Sequence, residues 1–278
     1  VTALELTSGW EVPNVAAAVL RAGEVVSAAG DQRRRFRLAS ISKPIAAWAA
    51  LIAVEEGIVE LDSPVGQPGC TLRHLLAHAG GYPFEGAAPI ALPGRTRIYS
   101  NAGYELLADA VAERAGMPFA DYLTAAVLEP LGMERTELIG SPAHGVHGDV
   151  GDLARFVVEV TAPRLIHAST AAEAVRPQWP ELGGIVPGMG RFDRCPWGLG
   201  FELRGDKDPH WTGRRNSAST FGHFGGAGTM FWIDPDADPR GDLALIALTD
   251  RDFEEWARRA WPELSDAVVA EFAEGPAV

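Results

Sequence analysis

The chain has 278 residues, 47% of them hydrophobic and 22% charged, enough to bury a sizeable core in one domain or in one domain carrying an insertion. Its formal charge of −13, with one short arginine cluster at Arg33 to Arg35, leaves no basic stripe for a phosphate backbone and argues against nucleic acid as a partner. No apolar run reaches the ~18 residues of a membrane span. The opening VTALELTSGWEVPN has no basic region followed by an apolar core, so the sequence as given reads as cytoplasmic, with a mature secreted protein trimmed of its leader as the alternative.

Residues Asn14 to Gly30, NVAAAVLRAGEVVSAAG, predict two short strands around a turn at Arg21, Ala22 and Gly23. An apolar helix follows. Ile41 to Val54 carries Ile45, Trp48, Ala49, Leu51, Ile52 and Val54 almost without polar interruption, and Gly57 ends it. The stretch SPVGQPGC from Ser63 marks a change of layer, and TLRHLLAH at Thr71 to His78 predicts a short helix ending at Gly80 and Gly81. GRTRIYSNAGYELLADAVAERA, from Gly94 to Ala115, reads as a loop running into a helix whose apolar positions include Tyr104, Leu107, Ala108 and Val111. Further helices are predicted at Phe119 to Leu128, closed by Pro130 and Gly132, at Asp152 to Val160 and at His167 to Val175. Residues 63–184 are therefore mainly helical.

From Trp197 the pattern changes to short apolar runs with turns: WGLGFEL, Phe221 to Ile233 and Leu243 to Leu248 read as sheet strands. An amphipathic helix from Phe253 to Phe272, made irregular by Pro262, closes the chain. Strands at both ends around a helical middle predict an α/β fold of the α+β type. Its main domain is built from residues 1–62 and 185–278, with 63–184 inserted.

His74 and His78 stand four apart, the spacing of two zinc ligands on one helical face, but Leu75 occupies the position where a zincin places its glutamate. They read as structural or solvated. His144 and His147 near Asp149 and Asp152 lack a cysteine or further ligand, so no metal is expected there either. Cys70 and Cys195 read as free buried thiols, with one disulfide as the alternative.

The chemistry concentrates at Ser40 and Lys43. Pro44 is tolerated in a first helical turn, which puts Ser40 at a helix N-terminus among free backbone N–H groups. Positions i and i+3 share a face, so the Lys43 amine can rise beside the Ser40 hydroxyl. An amine beside a serine at a positive helix end is a way to make a weak nucleophile attack a carbonyl. Taken alone the pair also fits a capping serine with a solvated lysine one turn on. Further along, FGHFGGAGTMFWIDP at Phe221 to Pro235 combines a histidine, a glycine-rich stretch and an apolar strand. No serine lies in a G-x-S-x-G frame, and there is no Walker A or paired-cysteine motif.

Ser40-Ile41-Ser42-Lys43, Tyr99-Ser100-Asn101 and His223-Phe224-Gly225, in that order, resemble the penicillin-recognising serine hydrolases. The nearest branch is that of class C β-lactamases, DD-peptidases and β-lactamase-like esterases. The flanking FRLASISKP, LRHLLAHAGGY, YSNAGYELLADAVAERAG, DLARF and GHFGGAGTMFWIDP agree, and the resemblance runs from about Asn14 to Asp250.

It implies a β-lactamase/transpeptidase-like fold, an antiparallel sheet flanked by helices with an inserted all-helical region, and a metal-free, cofactor-free serine hydrolase for a small ester, amide or β-lactam. By the same resemblance Ser40 is the acylated nucleophile, and Lys43 sets the local field or is itself the base. Tyr99 shuttles the proton. An unperturbed tyrosine has a pKa near ~10, so ionising it at pH 7 costs about 4 kcal/mol. Asn101 holds the substrate amide or the lysine, and His223 stands where many relatives carry a lysine. Backbone N–H groups of Ser40 and Gly226 meet the oxyanion, a donor of that kind being worth ~3 to 4 kcal/mol.

Phe224 departs from the pattern, since many relatives carry a threonine or serine there that helps bind the substrate carboxylate. The departure favours an esterase or amidase for less polar substrates over a β-lactamase or D-amino-acid peptidase. A silent, non-turning-over penicillin-binding sensor is the reading from another class. Arg214 and Arg215 are either a substitute carboxylate partner or solvated loop charges, and Tyr82 or Phe84 of GGYPF either lines the site or anchors its loop.

Overall fold

Both central residues of the first turn, Ala22 and Gly23, take positive φ (48° and 80°), the twist that lets two strands close into a tight hairpin. A computed structural model describes residues 2–273 of the chain. In it the hairpin is Val15–Arg21 (β1) and Glu24–Gly30 (β2). Four strands from the other end of the chain join it: Glu202–Leu203 (β3), Phe221–Gly225 (β4), Thr229–Asp234 (β5) and Leu243–Thr249 (β6). They form one antiparallel sheet in the order β2-β1-β6-β5-β4-β3.

Alternation assigns the two faces of the sheet. Ala16, Ala18, Leu20, Phe231 and Ile233 pack with the helix Ser42–Glu55 (α1). Ala17, Val19, Met230 and Trp232 pack with Ala257, Trp261, Leu264 and Val268 of the last helix, Glu255–Ala273, and with Ala3 and Leu4 of an N-terminal 3-10 helix. The sheet is thus the middle of three layers. Pro262 lies inside the last helix.

The predicted middle helices are present as Leu72–Leu76 (α2), Asn101–Ala115 (α3), Phe119–Leu123 (α4), Val150–Thr161 (α5) and Ala168–Ala174 (α6), which makes Glu255–Ala273 α7. α4 continues as a π-helical turn over Thr124–Leu128. The same region also holds short strands that the sequence did not reveal. Val146–Gly148 pairs with Phe36–Arg37 and Glu137–Leu138, and Arg97–Ile98 runs parallel to Gly184–Val186. Strands of two or three residues are too short to show alternation. For the same reason WGLGFEL yields only the two residues of β3, and the run from Phe221 to Ile233 folds back on itself as the β4–β5 hairpin.

Gly225 fixes how β4 meets the segment leading into α1. A Cβ there would collide with the Leu38 carbonyl oxygen and come within 2.5 Å of Thr229 Oγ1 and 3.1 Å of Ala39 Cβ. Gly225→Ala is therefore expected to destabilise the fold by about 1–3 kcal/mol, read as a lowered urea midpoint with an unchanged slope.

Candidate active site

Ser40 sits in a 3-10 turn, Ala39–Ile41, entered through Ala39 at φ 48° and running straight into α1. Ser42 pins that turn: its hydroxyl donates to Ala39 O at 2.6 Å and accepts from Val146 N–H at 2.9 Å. One turn on, the Lys43 side chain is fully buried. Its Nζ lies 3.2 Å from Ser40 Oγ, 2.6 Å from Asn101 Oδ1 and 3.0 Å from Ala143 O, and 4.5 Å from the centre of the Tyr99 ring. Burial holds this amine well below its ordinary pKa, against the raising pull of Glu85 and Glu105.

Tyr99, at the end of the Arg97–Ile98 strand, is also buried, and burial pushes its phenol pKa up in spite of a hydrogen bond with Ser40. Its hydroxyl lies 3.5 Å from His223 Nε2. His223 donates from Nδ1 to Phe224 O at 2.7 Å, which leaves Nε2 as an acceptor for Tyr99. Burial, reinforced by Lys43, drops the His223 pKa to about 3. At neutral pH the histidine and the tyrosine are therefore both uncharged.

Ser100 and Asn101 divide two roles. Ser100 caps α3, its oxygen accepting from Gly103 N–H at 2.8 Å, whereas Asn101 turns inward. Its Oδ1 accepts from Lys43, and its Nδ2 donates to Glu85 Oε1 at 2.6 Å, an arrangement that fixes which way the amide faces. Glu85 was not singled out from the sequence; its position directly after GGYPF was the available signal. Within that segment Tyr82 is the anchor, its buried hydroxyl accepting from Gln67 N–H at 2.6 Å. Phe84 is the wall, half exposed and stacked 6.0 Å from Tyr99.

His74 and His78 do not share a helical face, because α2 ends at Leu76 and His78 takes φ 53°. His74 closes a capping box with Thr71, and His78 accepts from Ser100 N–H at 3.1 Å beneath the Tyr99 ring. Asp149 and Asp152 are occupied at the start of α5 with Arg135 and Thr136. Cys70 and Cys195 are free and buried, each thiol pKa raised by burial to about 11.

Beside Ser40 opens a cavity of about 270 Å³. Its walls include Phe84, Tyr99, Pro187, Trp197, Phe224 and Phe253. Phe224 presents its ring there, held by Phe253 at 4.8 Å and Trp211 at 5.6 Å. The charged wall residue is Glu202, its pKa lowered to about 2 although burial alone would raise it, because Lys207 at 3.3 Å and His210 at 3.2 Å hold the carboxylate. Neither Arg214, 84% exposed, nor Arg215 lines it. On the other side of Ser40 lies a more open polar cleft bordered by Arg37, Glu85, Asn101 and His144. Gly226 belongs to both, with open space where a side chain would stand.

A sequence model of the Beta-lactamase family matches residues 5–270. The chain belongs to that family. A solved β-lactamase from Mycobacterium bovis superposes with a TM-score of 0.95 at 49% identity, covering 98% of this chain and 100% of that one. Penicillin-binding protein 4* of Bacillus subtilis strain 168 is 31% identical over 136 residues, 37% of this chain. That match spans only 30% of the relative's length. Esterase EstB of Burkholderia gladioli is 24% identical over 332 residues, 84% of this chain and 82% of the relative. The β-lactamase-like fold with its antiparallel sheet and flanking helices is as the sequence implied. No helix among the described residues is long and apolar enough to cross a membrane.

Proposed function

We propose that the chain is a serine carboxylesterase working through an acyl-enzyme on Ser40, with neutral Lys43 as general base. A neutral amine has two N–H groups and one lone pair. Asn101 Oδ1 and Ala143 O can only accept, so they take the two hydrogens, and the lone pair is left for the one neighbour able to donate, Ser40. Ser40 Oγ bonds to the ester carbonyl carbon as its proton passes to Lys43, and the carbonyl electron pair moves onto oxygen, facing the Ser40 and Gly226 N–H groups. Gly226 N–H donates to no backbone carbonyl among the described residues. Collapse breaks the bond to the alcohol oxygen, which takes a proton from the Tyr99 hydroxyl, and the Lys43 proton restores the phenol. Water then repeats the sequence on the acyl-enzyme, releasing the acid and free Ser40.

The composition of the cavity carries the choice of substrate. Aromatic and aliphatic side chains wall it, and among the described residues no cation does. A substrate carboxylate, as in a β-lactam, would meet Glu202 and an uncharged His223 there, whereas a neutral ester loses nothing. The EstB relative is itself named an esterase.

Steady-state hydrolysis of p-nitrophenyl acetate and butyrate beside nitrocefin tests this. Ester turnover well above nitrocefin turnover is expected. Nitrocefin turnover exceeding both esters would replace the reading with a β-lactamase, and a burst of about one equivalent without a steady phase would mark a non-turning-over binder.

A further inference from the structure

The apolar surface beside Ser40 does not stop at the cavity. Phe84, Tyr99 and Pro187 are walls of the cavity and also of a groove of about 530 Å³ that leads away from the nucleophile. Pro83, Ile90, Ile98 and Ile185 complete the apolar lining of the groove. Its two arginines differ: Arg97 is buried and donates to the carbonyls of Ala77, Gln178 and Cys195, while Arg191 is exposed.

Of the eight large apolar side chains exposed among the described residues, three, Phe84, Ile90 and Ile185, line this groove. Phe84 is 50% exposed, Ile185 53% and Ile90 67%, with Leu92 at 63% two residues further on. Scattered exposed apolar residues need no explanation, but a contiguous patch joined to a catalytic cavity marks a binding surface.

We infer that this groove binds the alcohol part of the substrate, so that the enzyme acts on neutral esters of long apolar alcohols. The inference rests on the esterase reading above and on Tyr99 as proton donor to the departing oxygen. Tyr99 lines the cavity and the groove but not the polar cleft around Asn101 and Glu85. The departing alcohol must lie against its proton donor, so the alcohol extends over Phe84 and Pro187 towards Ile90 and Ile185. The acyl group faces the polar cleft.

Two substrate series separate the halves of the ester: n-alkyl acetates from ethyl to decyl, and methyl alkanoates of matching length, both followed by acid release. kcat/KM is expected to rise by up to about fourfold per methylene along the alcohol series, as apolar surface is buried, and to stay flat along the acyl series. Ile90→Glu and Ile185→Glu, at exposed positions, are expected to flatten the alcohol slope. Met117→Glu, also at an exposed site but outside the groove, should keep it. A slope along the acyl series instead, or an alcohol slope that survives both groove variants, overturns the inference and leaves the Ser40 esterase in place. If no ester is turned over in a Ser40-dependent way, the esterase reading falls and the inference falls with it.

Discussion

Ser40→Ala is expected to lower ester kcat by about 10⁶-fold, the scale seen when an acylated serine is removed from a hydrolase. The loss is chemical and not structural. Ser40 Oγ meets Lys43 Nζ at 3.2 Å and Tyr99 at the cavity wall, while the turn that carries it is held by Ser42 and the Leu38 and Ala39 backbone. The thermal midpoint of the variant should therefore stay close to that of the parent. Intact mass after exposure to a slowly deacylating ester gives the direct check, with an added acyl mass on the parent and none on Ser40→Ala. An acyl adduct on the variant would move the nucleophile elsewhere.

Lys43→Met keeps the length of the side chain and removes the amine, and should cost about 10³-fold or more in kcat, within the range of a general base. The pH profile tells which group is the base. Lys43 works as a base only when neutral, and burial has lowered its pKa well below the ordinary lysine value of 10.5. Activity of the parent should thus fall as pH drops through that lowered pKa and level off above it. Glu85 raises the Lys43 pKa, so Glu85→Gln should slide the acid limb to lower pH, the remaining amide oxygen still accepting from Asn101. Tyr99→Phe should lower the plateau and leave the limb where it is. A limb that moves with Tyr99→Phe and not with Glu85→Gln would make the tyrosine the base. Folding follows the same sign: between the lowered folded pKa and the unfolded value near ~10.4 the unfolded chain binds the extra proton, so Lys43 makes stability rise with pH across that window.

Local chemistry wrote much of the fold into the sequence. The Ala22-Gly23 turn, the apolar stretch of α1, the helical run ending at Ala115 and the apolar β6 each depend on residues within a turn or two of one another, and all stand where the sequence puts them. The pairing of Ser40 with Lys43 was legible for the same reason, since three residues separate them on one helical path. The order of the three motifs was enough to name the family.

Contacts made across long stretches of chain decided the rest. Burial lowers the Lys43 pKa because distant parts of the chain enclose the amine, with Asn101, 58 residues away, and Ala143, 100 residues away, accepting its hydrogen bonds. Nothing near Lys43 in the chain announces that burial. Tyr82 and Phe84 are equally aromatic in GGYPF, and only the packing of Gln67 against one and of Tyr99 against the other makes an anchor of the first and a wall of the second. Arg214 and Arg215 stay exposed outside the cavity, while Glu202, paired with Gly222 of β4, enters its wall. The sequence by itself determined the longer elements and the juxtaposition of Ser40 with Lys43, because short-range backbone geometry governs them. The tertiary structure alone decided the lowered pKa of Lys43, the uncharged state of Tyr99 and His223 and the largely apolar wall of the cavity, because desolvation depends on which distant segments exclude water from a side chain.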